Sequence, residues 1–491
     1  MAQEIELKLR FARRDLPRLL AHPLLKRETA RMQTLRNTYY DSAELALHQQ
    51  RIAVRLREKN GSLLLTVKSS APASGGLSVR QEWEDAATPG IFDFSLVGDP
   101  ALRQFLEQQR AALRPVFSTD FQRQVWVLAQ GEARIEVAID LGWISAGKHE
   151  GKTRKERICE LELELLSGGT EQLFTLCHAL QRRVTLIPAL PSKAERGYRL
   201  FLGTRAAPVC APAPTLAAAE MPLAAVRRIL LADLEHLQHN EAGLLGRKNP
   251  EYVHQARLAL RRLRSSLAFF APLLPADYTA HFAPRWQQLA RQLGVTRDWD
   301  VLLHDTLAPI QHAFPDDPHV RSLCKQARLR AADSRKTVTR HGNSNDYGRL
   351  LIEFTAATYA LALPDDTELH AFSQQRWQAW HADTQTLARH TAPGKARQLH
   401  RLRRRLKALH GTAELLHELA PKLLTPERKQ LLKTLLKVLG VHNDLVVARQ
   451  LLRELNDASD EPGLAQAWIA GQKTQLQQQI PALLADWPEN A

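Results

Sequence analysis

EIELKLRF, residues 4–11, is the stretch on which the reading of the first half of the chain turns. Glu4, Glu6, Lys8 and Arg10 alternate with Ile5, Leu7, Leu9 and Phe11. A period of two puts successive side chains on opposite faces of a β-strand, so one face is apolar and the other carries two carboxylates and two cations. ICELELELL, residues 158–166, repeats the habit, with Glu160, Glu162 and Glu164 opposite Leu161, Leu163 and Leu165. Five more segments share it. IAVRLREK aligns Arg55 with Arg57, LLLTVK ends in Lys68, and LSVRQEWE aligns Arg80, Glu82 and Glu84. FQRQVWVL contributes Arg123, and ARIEVAIDLG sets Arg134, Glu136 and Asp140 opposite Ile135, Val137 and Ile139.

One such strand is the solvated face of an ordinary antiparallel sheet. Seven together, with Glu, Arg and Lys where Ser and Thr are usual, predict a closed or nearly closed antiparallel barrel turned inside out. Its apolar face would lie under helices near 15–21, 101–113 and 170–183. Its charged face would line a lumen. Like charges there would be too costly to desolvate, whereas a mixture with water, a divalent metal and a polyanion is tolerable. Carboxylate oxygens suit a hard cation such as Mg2+ or Mn2+, and arginine and lysine suit phosphate oxygens.

The totals agree with an anionic partner. The chain has 491 residues, long enough for two or three domains, and a net charge of +15. Residues 218–491 hold 36 Lys and Arg against 28 Asp and Glu, a net of +8, which leaves +7 for the remainder. Aromatic residues make up 6%, too few for the stacking platforms of single-strand nucleic-acid binding, so nucleic acid is not the expected partner. Cys159, Cys177, Cys210 and Cys324 show no CxxC spacing, which argues for reduced thiols and against a zinc cage. The chain enters a charged strand at once and has no apolar run of eighteen residues. The expectation is a cytoplasmic protein without signal peptide or membrane partner.

The strand-like pattern ends near residue 200. An Ala- and Pro-rich stretch, GTRAAPVCAPAPTLAAAEMP, separates it from a helical half. That half contains a repeat. HQARLALRRLR begins at His254 and HRLRRRLKALH at His400; LGVTRDWDV begins at Leu293 and LGVHNDLVV at Leu439; Pro275 matches Pro421. All three offsets are 146 (400 − 254, 439 − 293, 421 − 275), which predicts duplication of one helical unit. His254, Arg257, Arg261 and Arg264 share one helix face, and His400, Arg403, Lys407 and His410 share its counterpart. With 15 of 19 histidines beyond residue 218, the two stripes suggest a polyanion groove. Asp298 and Asp444, in the matching LGxxxD segments, are expected in turns, capping helices or orienting the stripe rather than binding metal.

Several motifs carry a resemblance. EIELKL resembles the ExExK signature of the CYTH superfamily, the triphosphate tunnel metalloenzymes. YYDS (39–42), VRLR (54–57), AIDLG (138–142), ELELEL (160–165) and SKAERGY (192–198) follow in the family's order. The resemblance covers residues 1–203 and implies an eight-stranded antiparallel tunnel that binds triphosphate compounds with divalent metal. The second half resembles the CHAD domain, a conserved-histidine α-helical domain associated with inorganic polyphosphate. The fold class expected is thus α+β. An eight-stranded antiparallel β tunnel with flanking helices spans 1–203, a linker 204–217, and an all-α domain of two repeated bundles 218–491.

The resemblance also implies roles. Glu4, Glu6, Lys8 and Lys193 would be catalytic. Glu4, Glu6, Asp140, Glu160, Glu162 and Glu164 would supply the metal ligands, with the register among the last three open. Lys8, Arg55, Arg57, Lys68, Arg123 and Lys193 would bind substrate phosphate, with Arg80 either in contact or in support, and Arg196 either in contact or fixing a loop. In the helical half His254, Arg257, Arg261, Arg264, His400, Arg403 and Lys407 would hold polyphosphate. Together these imply hydrolysis of inorganic triphosphate with Mg2+ or Mn2+. Thiamine triphosphatase, class IV adenylate cyclase and a non-catalytic polyphosphate scaffold are the alternatives.

Overall fold

The computed structural model of the protein describes residues 2–69, 73–149, 152–217, 220–246, 249–364, 368–392, 394–419, 425–455 and 463–487. Pro421, one of the repeat landmarks, lies outside the described residues. The chain forms two compact units. One contains residues 1–207 together with 341–360, the other 208–340 and 361–491.

The strands of the first unit are β1 (Ala2–Arg10), β2 (Arg31–Asp41), β3 (Ile52–Lys59), β4 (Ser62–Ser69), β5 (Ala73–Ser74), β6 (Leu77–Ala86), β7 (Arg114–Gln130), β8 (Ala133–His149), β9 (Lys152–Ser167) and β10 (Ile187–Pro188). Their order is β10-β1-β9-β8-β7-β2-β3-β4-β6-β5, and a further antiparallel pairing of β1 with β6 closes eight of them into a barrel. The seven strands read from charge alternation are all present. The eighth is β2.

The barrel is inside out, as the alternation requires. Leu7, Leu9, Ile135, Val137, Ile139, Leu161 and Leu163 point outward into a core built with short helix α1 (Leu16–Leu20), Leu25 of α2 (Pro23–Lys26), and α5 (Thr170–Gln181). Around the other side, Val54, Leu56, Leu65, Val67 and Trp83 pack on Leu47 of α3 (Ala46–Gln49) and Leu106 of α4 (Pro100–Gln109). The inward face forms one circuit of register. Arg123 sits opposite Asp140, Asp140 opposite Glu160, Glu162 opposite Lys8, Glu6 opposite Ser78, Glu4 opposite Arg80, Glu82 opposite Lys68, and Arg55 opposite Tyr39.

One stretch of that inward face is apolar. Leu35, Tyr39, Phe117, Phe121, Ile144 and Ile158 gather around Tyr198 of α6 (Lys193–Leu202), which packs on β7, β8 and β9. Two glycines of the family motifs make this plug possible. A Cβ on Gly197 would fall 2.1 Å from the Phe117 ring, and one on Gly142 would fall 2.4 Å from Phe121 Cα and Cβ.

The second unit is helical. Its main helices are α7 (Pro222–Gly246), α8 (Pro250–Phe270), α9 (Ala276–Val301), α10 (Ala308–Ala313), α11 (Pro318–Gly342), then α13 (Leu369–Arg389), α14 (Ala396–Leu415), α15 (Pro426–Leu455) and α16 (Leu464–Ala485). The repeat is longer than its motifs. α8 and α14 begin 146 residues apart (396 − 250), and so do α11 and α16 (464 − 318). Each copy is therefore a four-helix set, α7-α8-α9-α11 and α13-α14-α15-α16. α12 (Asn345–Tyr359) lies between the copies, belongs to neither, and joins the barrel unit.

The stretch expected as a linker is not a loose one. Leu216 is buried and its amide donates to Leu415 O at 2.8 Å, while Asn240 exchanges two hydrogen bonds of 3.0 Å with the Val209 backbone. Proline and alanine keep it extended, and helix side chains satisfy its backbone. Among the described residues no helix is long and apolar enough to cross a membrane, and the four cysteines are free thiols.

The plug offers a stability test. Gly197→Ala forces a methyl group against the Phe117 ring and should cost about 1–3 kcal/mol by urea unfolding, with no change in the far-ultraviolet spectrum. Wild-type stability would place α6 away from the barrel end.

Candidate active site in the barrel and basic cluster in the helical unit

Each barrel strand delivers its charges inward because its other face is committed to the outer core. The interior separates into two regions of opposite excess. Nearer the plug are cations. Arg55 donates to the Tyr39 hydroxyl at 3.3 Å, and Arg57 to Asn37 Oδ1 at 2.9 Å. Arg123 forks onto both oxygens of the fully buried Asp140 at 2.7 Å and also reaches Glu162. Lys193, at the first turn of α6, touches Asp140 (2.8 Å), Glu160 (2.8 Å) and Glu162 (2.7 Å). Burial, followed by repulsion from Arg55 and Arg123, brings the Arg57 guanidinium down to about 10. Tyr39 is fully buried, which raises a phenol, yet Arg55, Arg57 and Lys193 draw it below its ordinary value.

The opposite region gathers carboxylates. Lys68 bridges Glu4 (3.0 Å) and Glu82 (2.8 Å), and Arg80 bridges Glu4 (2.8 Å) and Glu6. Lys8 lies 3.6 Å from Glu6. Glu164 forms no ion pair among the described residues. Burial pushes its carboxyl up to about 7, and Glu4, Glu136 and Glu82 push the same way against Lys68.

The barrel thus brings the residues given site roles from the sequence to one interior, with a difference in emphasis, while Arg134 stays exposed and Arg10 turns to Asn343 and Gly342. Asp140, Glu160 and Glu162, expected as metal ligands, are turned to Lys193, Arg123 and Arg196. Arg196 binds Glu156 at 2.6 Å and Glu160, tying α6 to β9. Among the described residues no three His, Cys, Asp or Glu side chains converge as a ready-made metal cage. The donors nevertheless fit a hard divalent cation, since they offer only oxygen: Glu4, Glu82 and Glu136 crowd Glu164, and Glu6 is its register partner on β1. Five interior residues had no assigned role from the sequence: Asn37, Tyr39, Glu82, Glu84 and Glu136. Glu84 pairs with Arg57 at 3.4 Å and accepts from Thr66 at 2.7 Å. The YYDS motif divides its labour. Tyr39 faces inward, while buried Asp41 accepts from the amides of Ser42, Leu47 and His48 and from the Tyr198 hydroxyl at 2.8 Å.

In the helical unit the two stripes meet. Arg257, Arg261, Arg403 and Lys407 feel one another's charge, and burial with this repulsion brings the Lys407 amine down to about 7. Asp298 and Asp444 lie inside α9 and α15, not in turns, so neither caps a helix. Their place is beside the stripe. Asp444 stands 3.8 Å from Arg403, and Asp298 is a neighbour of Arg257. The glycine of each LGxxxD segment faces an arginine of the stripe. A Cβ on Gly294 would fall 2.8 Å from Arg257 Nη1, so the missing side chain leaves that arginine room across the next helix, whereas one on Gly440 would stand at an ordinary contact distance of 3.9 Å from the Arg403 guanidinium. Arg264 stands apart, with Arg404 and Arg291 as its charged neighbours. His400 hydrogen-bonds Asn443 at 2.7 Å, and His410 lies 3.5 Å from Glu414. A cavity of about 370 Å³ adjoins the stripe, lined in part by Arg261, Lys407, Lys433 and Lys437.

Comparison with known proteins finds one domain family in each half of the chain. The CYTH domain family matches residues 2–198 and the CHAD domain family residues 228–453. An inorganic triphosphatase of Haemophilus influenzae is 35% identical over 208 residues, 41% of this chain and 55% of that protein. The chain therefore spans about half the length of the curated relative it matches. Among solved structures, the CHAD domain of the plant Ricinus communis aligns at 28% identity and TM-score 0.47, over 57% of this chain and 97% of that one. A Hippeastrum protein reported to have a dominant triphosphatase activity aligns at 18% identity and TM-score 0.31, over 41% and 97%. Scores this low bear on neither chain's function.

Glu164 gives the barrel a signed pH dependence. Its folded value, about 7, lies above an ordinary carboxyl, so between the two the folded state holds the extra proton and stability falls as pH rises. Above about 7 the penalty is complete, on the order of a few kcal/mol. In metal-free buffer Glu164→Gln should raise the melting temperature at pH 8 and leave it unchanged near pH 4. A gain of equal size at both values would show that ionisation of Glu164 is not the cause.

Proposed function

We propose that this chain, which carries a CYTH domain followed by a CHAD domain, hydrolyses inorganic triphosphate to diphosphate and phosphate inside the barrel, and binds inorganic polyphosphate in the helical unit. One observation carries the catalytic reading. A cation-crowded region around Arg57 and a carboxylate-crowded region around Glu164 share one closed interior. A metal–triphosphate complex is the kind of ligand that relieves both at once. The match to an inorganic triphosphatase over the barrel half supports the choice of triphosphate.

The chain's own residues divide the work as follows. Arg55, Arg57, Arg123 and Lys193 hold the phosphates that keep their bonds, and Lys8, Lys68 and Arg80 hold oxygens nearer the carboxylates. Asp140, Glu160 and Glu162 keep Lys193 and Arg123 charged and aimed until substrate arrives. Arg196 fixes α6. When bound by Glu4, Glu6 and Glu164, Mg2+ or Mn2+ would neutralise charge and polarise phosphate oxygens. A carboxylate of the acidic region orients the water that attacks phosphorus, and the diphosphate leaves as the P–O bond breaks. Tyr39, held by Arg55, closes the cationic end against solvent.

Glu6→Gln keeps the shape and removes one charge. Turnover of inorganic triphosphate at saturating Mg2+ should fall about a thousandfold, about 4 kcal/mol of barrier, in a chain that is still folded at the assay temperature. A folded variant with near-normal turnover removes Glu6 from the mechanism. Parallel product analysis with ATP and thiamine triphosphate distinguishes cyclase and thiamine triphosphatase activity.

The helical reading rests on the four facing cations. Long-chain polyphosphate should bind there with an affinity that drops steeply between low and physiological salt, because counterions are released from the chain. Arg257→Ala with Arg261→Ala should weaken binding at least about tenfold, and Arg264→Ala alone much less, given its separate neighbourhood. Calorimetry at two salt concentrations reads both. Salt-insensitive binding, or no loss in the double variant, places the polyanion elsewhere.

A further inference from the structure

α12 is an oddity of the helical half. It falls between two four-helix copies, has no counterpart in either, and packs with the barrel unit. Its fit there is close. Ser344 caps it by accepting from the Tyr347 amide at 3.2 Å, and Ile352 is fully buried in the core between the barrel and α5. Asn345 donates to Gln181 O at the end of α5 at 2.9 Å, and Gln181 in turn donates to Leu186 O at 2.8 Å. Gly348 lets the helix backbone touch the chain entering β10, since a Cβ there would fall 2.2 Å from Leu186 O. Thr355 presses on the turn between β5 and β6. A Cβ on Gly75, whose φ is +61°, would fall 1.7 Å from Thr355 Oγ1.

What lies under these contacts is the backbone of Lys8. The Lys8 amide donates to Gly76 O, and the Ala189 amide donates to Lys8 O, both at 2.9 Å. Gly76 is equally tight, a Cβ there falling 2.7 Å from Lys8 O. The turn pressed by Thr355 and the strand touched by Gly348 therefore grip Lys8 from its two sides. Two residues on, Arg10 donates to Asn343 Oδ1 (3.0 Å) and Gly342 O (3.2 Å), just ahead of α12. This is also the seam where β1 meets β6 and closes the barrel, with Glu6 opposite Ser78 and Glu4 opposite Arg80.

We propose that Thr355 and Gly348 are positioning residues for the barrel site: through the Gly75–Gly76 turn and β10 they fix the backbone of Lys8, and with it the inward aim of Lys8 and Glu6. The helical half thereby supplies a part of the barrel's machinery and not only a second binding unit. The kinetic side of this inference rests on the triphosphatase reading; the backbone side does not.

The test uses the full-length chain and two measurements. Thr355→Leu enlarges the side chain against the turn, and Thr355→Ser is the conservative control. Hydrogen exchange at the amides of Lys8 and Ala189 should rise at least about tenfold in Thr355→Leu while amides of β7 and β8 keep their protection. In the same variant the KM for inorganic triphosphate and the Mg2+ concentration for half-activation should each rise about tenfold, more than kcat falls, and Thr355→Ser should restore all three. A helix with a merely structural role would instead lower the melting temperature and the active fraction together, leaving KM and exchange at Lys8 unchanged. That result overturns the proposal. If Thr355→Leu does not fold, Gly348→Ala, which displaces α12 from the other contact, is read in the same way. A wild-type chain without triphosphate turnover would sink the enzymatic reading, and the exchange measurement would still decide the positioning role.

Discussion

Charge withdrawn from water must find opposite charge within reach, and the barrel is built around that demand. Desolvating an unpaired carboxylate or guanidinium costs several kcal/mol, so an inward face of this composition survives only in a register that sets acids beside bases. Neighbouring strands supply it: Lys68 lies between Glu4 and Glu82, and Lys193 among Asp140, Glu160 and Glu162. The rest follows from this arrangement. Because the inside is charged, the outside must be apolar and needs helices over it. Because the interior must not be flooded with bulk water at both ends, one end is packed with Tyr39, Phe117, Phe121 and Tyr198.

The helical unit meets the same demand differently. Arg257, Arg403 and Lys407 are half-buried with Arg261 beside them, and among the described residues three carboxylates, Asp298, Asp444 and Glu414, face this cluster. The arrangement persists because burial is incomplete and because one member can give up its charge, Lys407 having been brought down to about 7. In the barrel, cations are stored against acids; in the bundle, they are stored partly neutral.

Much of this was legible in the residues. Alternating charge gave seven strands and the direction of their faces, because Glu, Lys and Arg at every second position leave no other solution. β2 escaped because its inward residues, Gln33, Leu35, Asn37 and Tyr39, are neutral and show no charge alternation. The same neutrality hid Asn37 and Tyr39 as partners of Arg57 and Arg55. The LGxxxD segments were visible as a repeat, but their placement inside long helices was not. A glycine with a nearby aspartate reads as a turn until one knows that Gly294 lies inside a helix, close against Arg257 of another. α12 could not have been separated by composition, since an apolar helix amid helices carries no mark of which core it serves.

The division of the barrel unit between two stretches of chain has a consequence for its biosynthesis. A ribosome finishes the barrel strands long before it reaches residue 341, and it must first emit the whole of 208–340. During that interval the backbone entering β10 and the core around Ile352 lack their cover, the kind of uncovered sheet edge and apolar surface that invites association with other chains. Joining the two stretches across a long intervening segment costs little extra loop entropy once that segment has folded with its own ends close together. The barrel unit therefore cannot be completed before the first helical repeat has been emitted, and a chain interrupted between 208 and 340 leaves the barrel without its last helix.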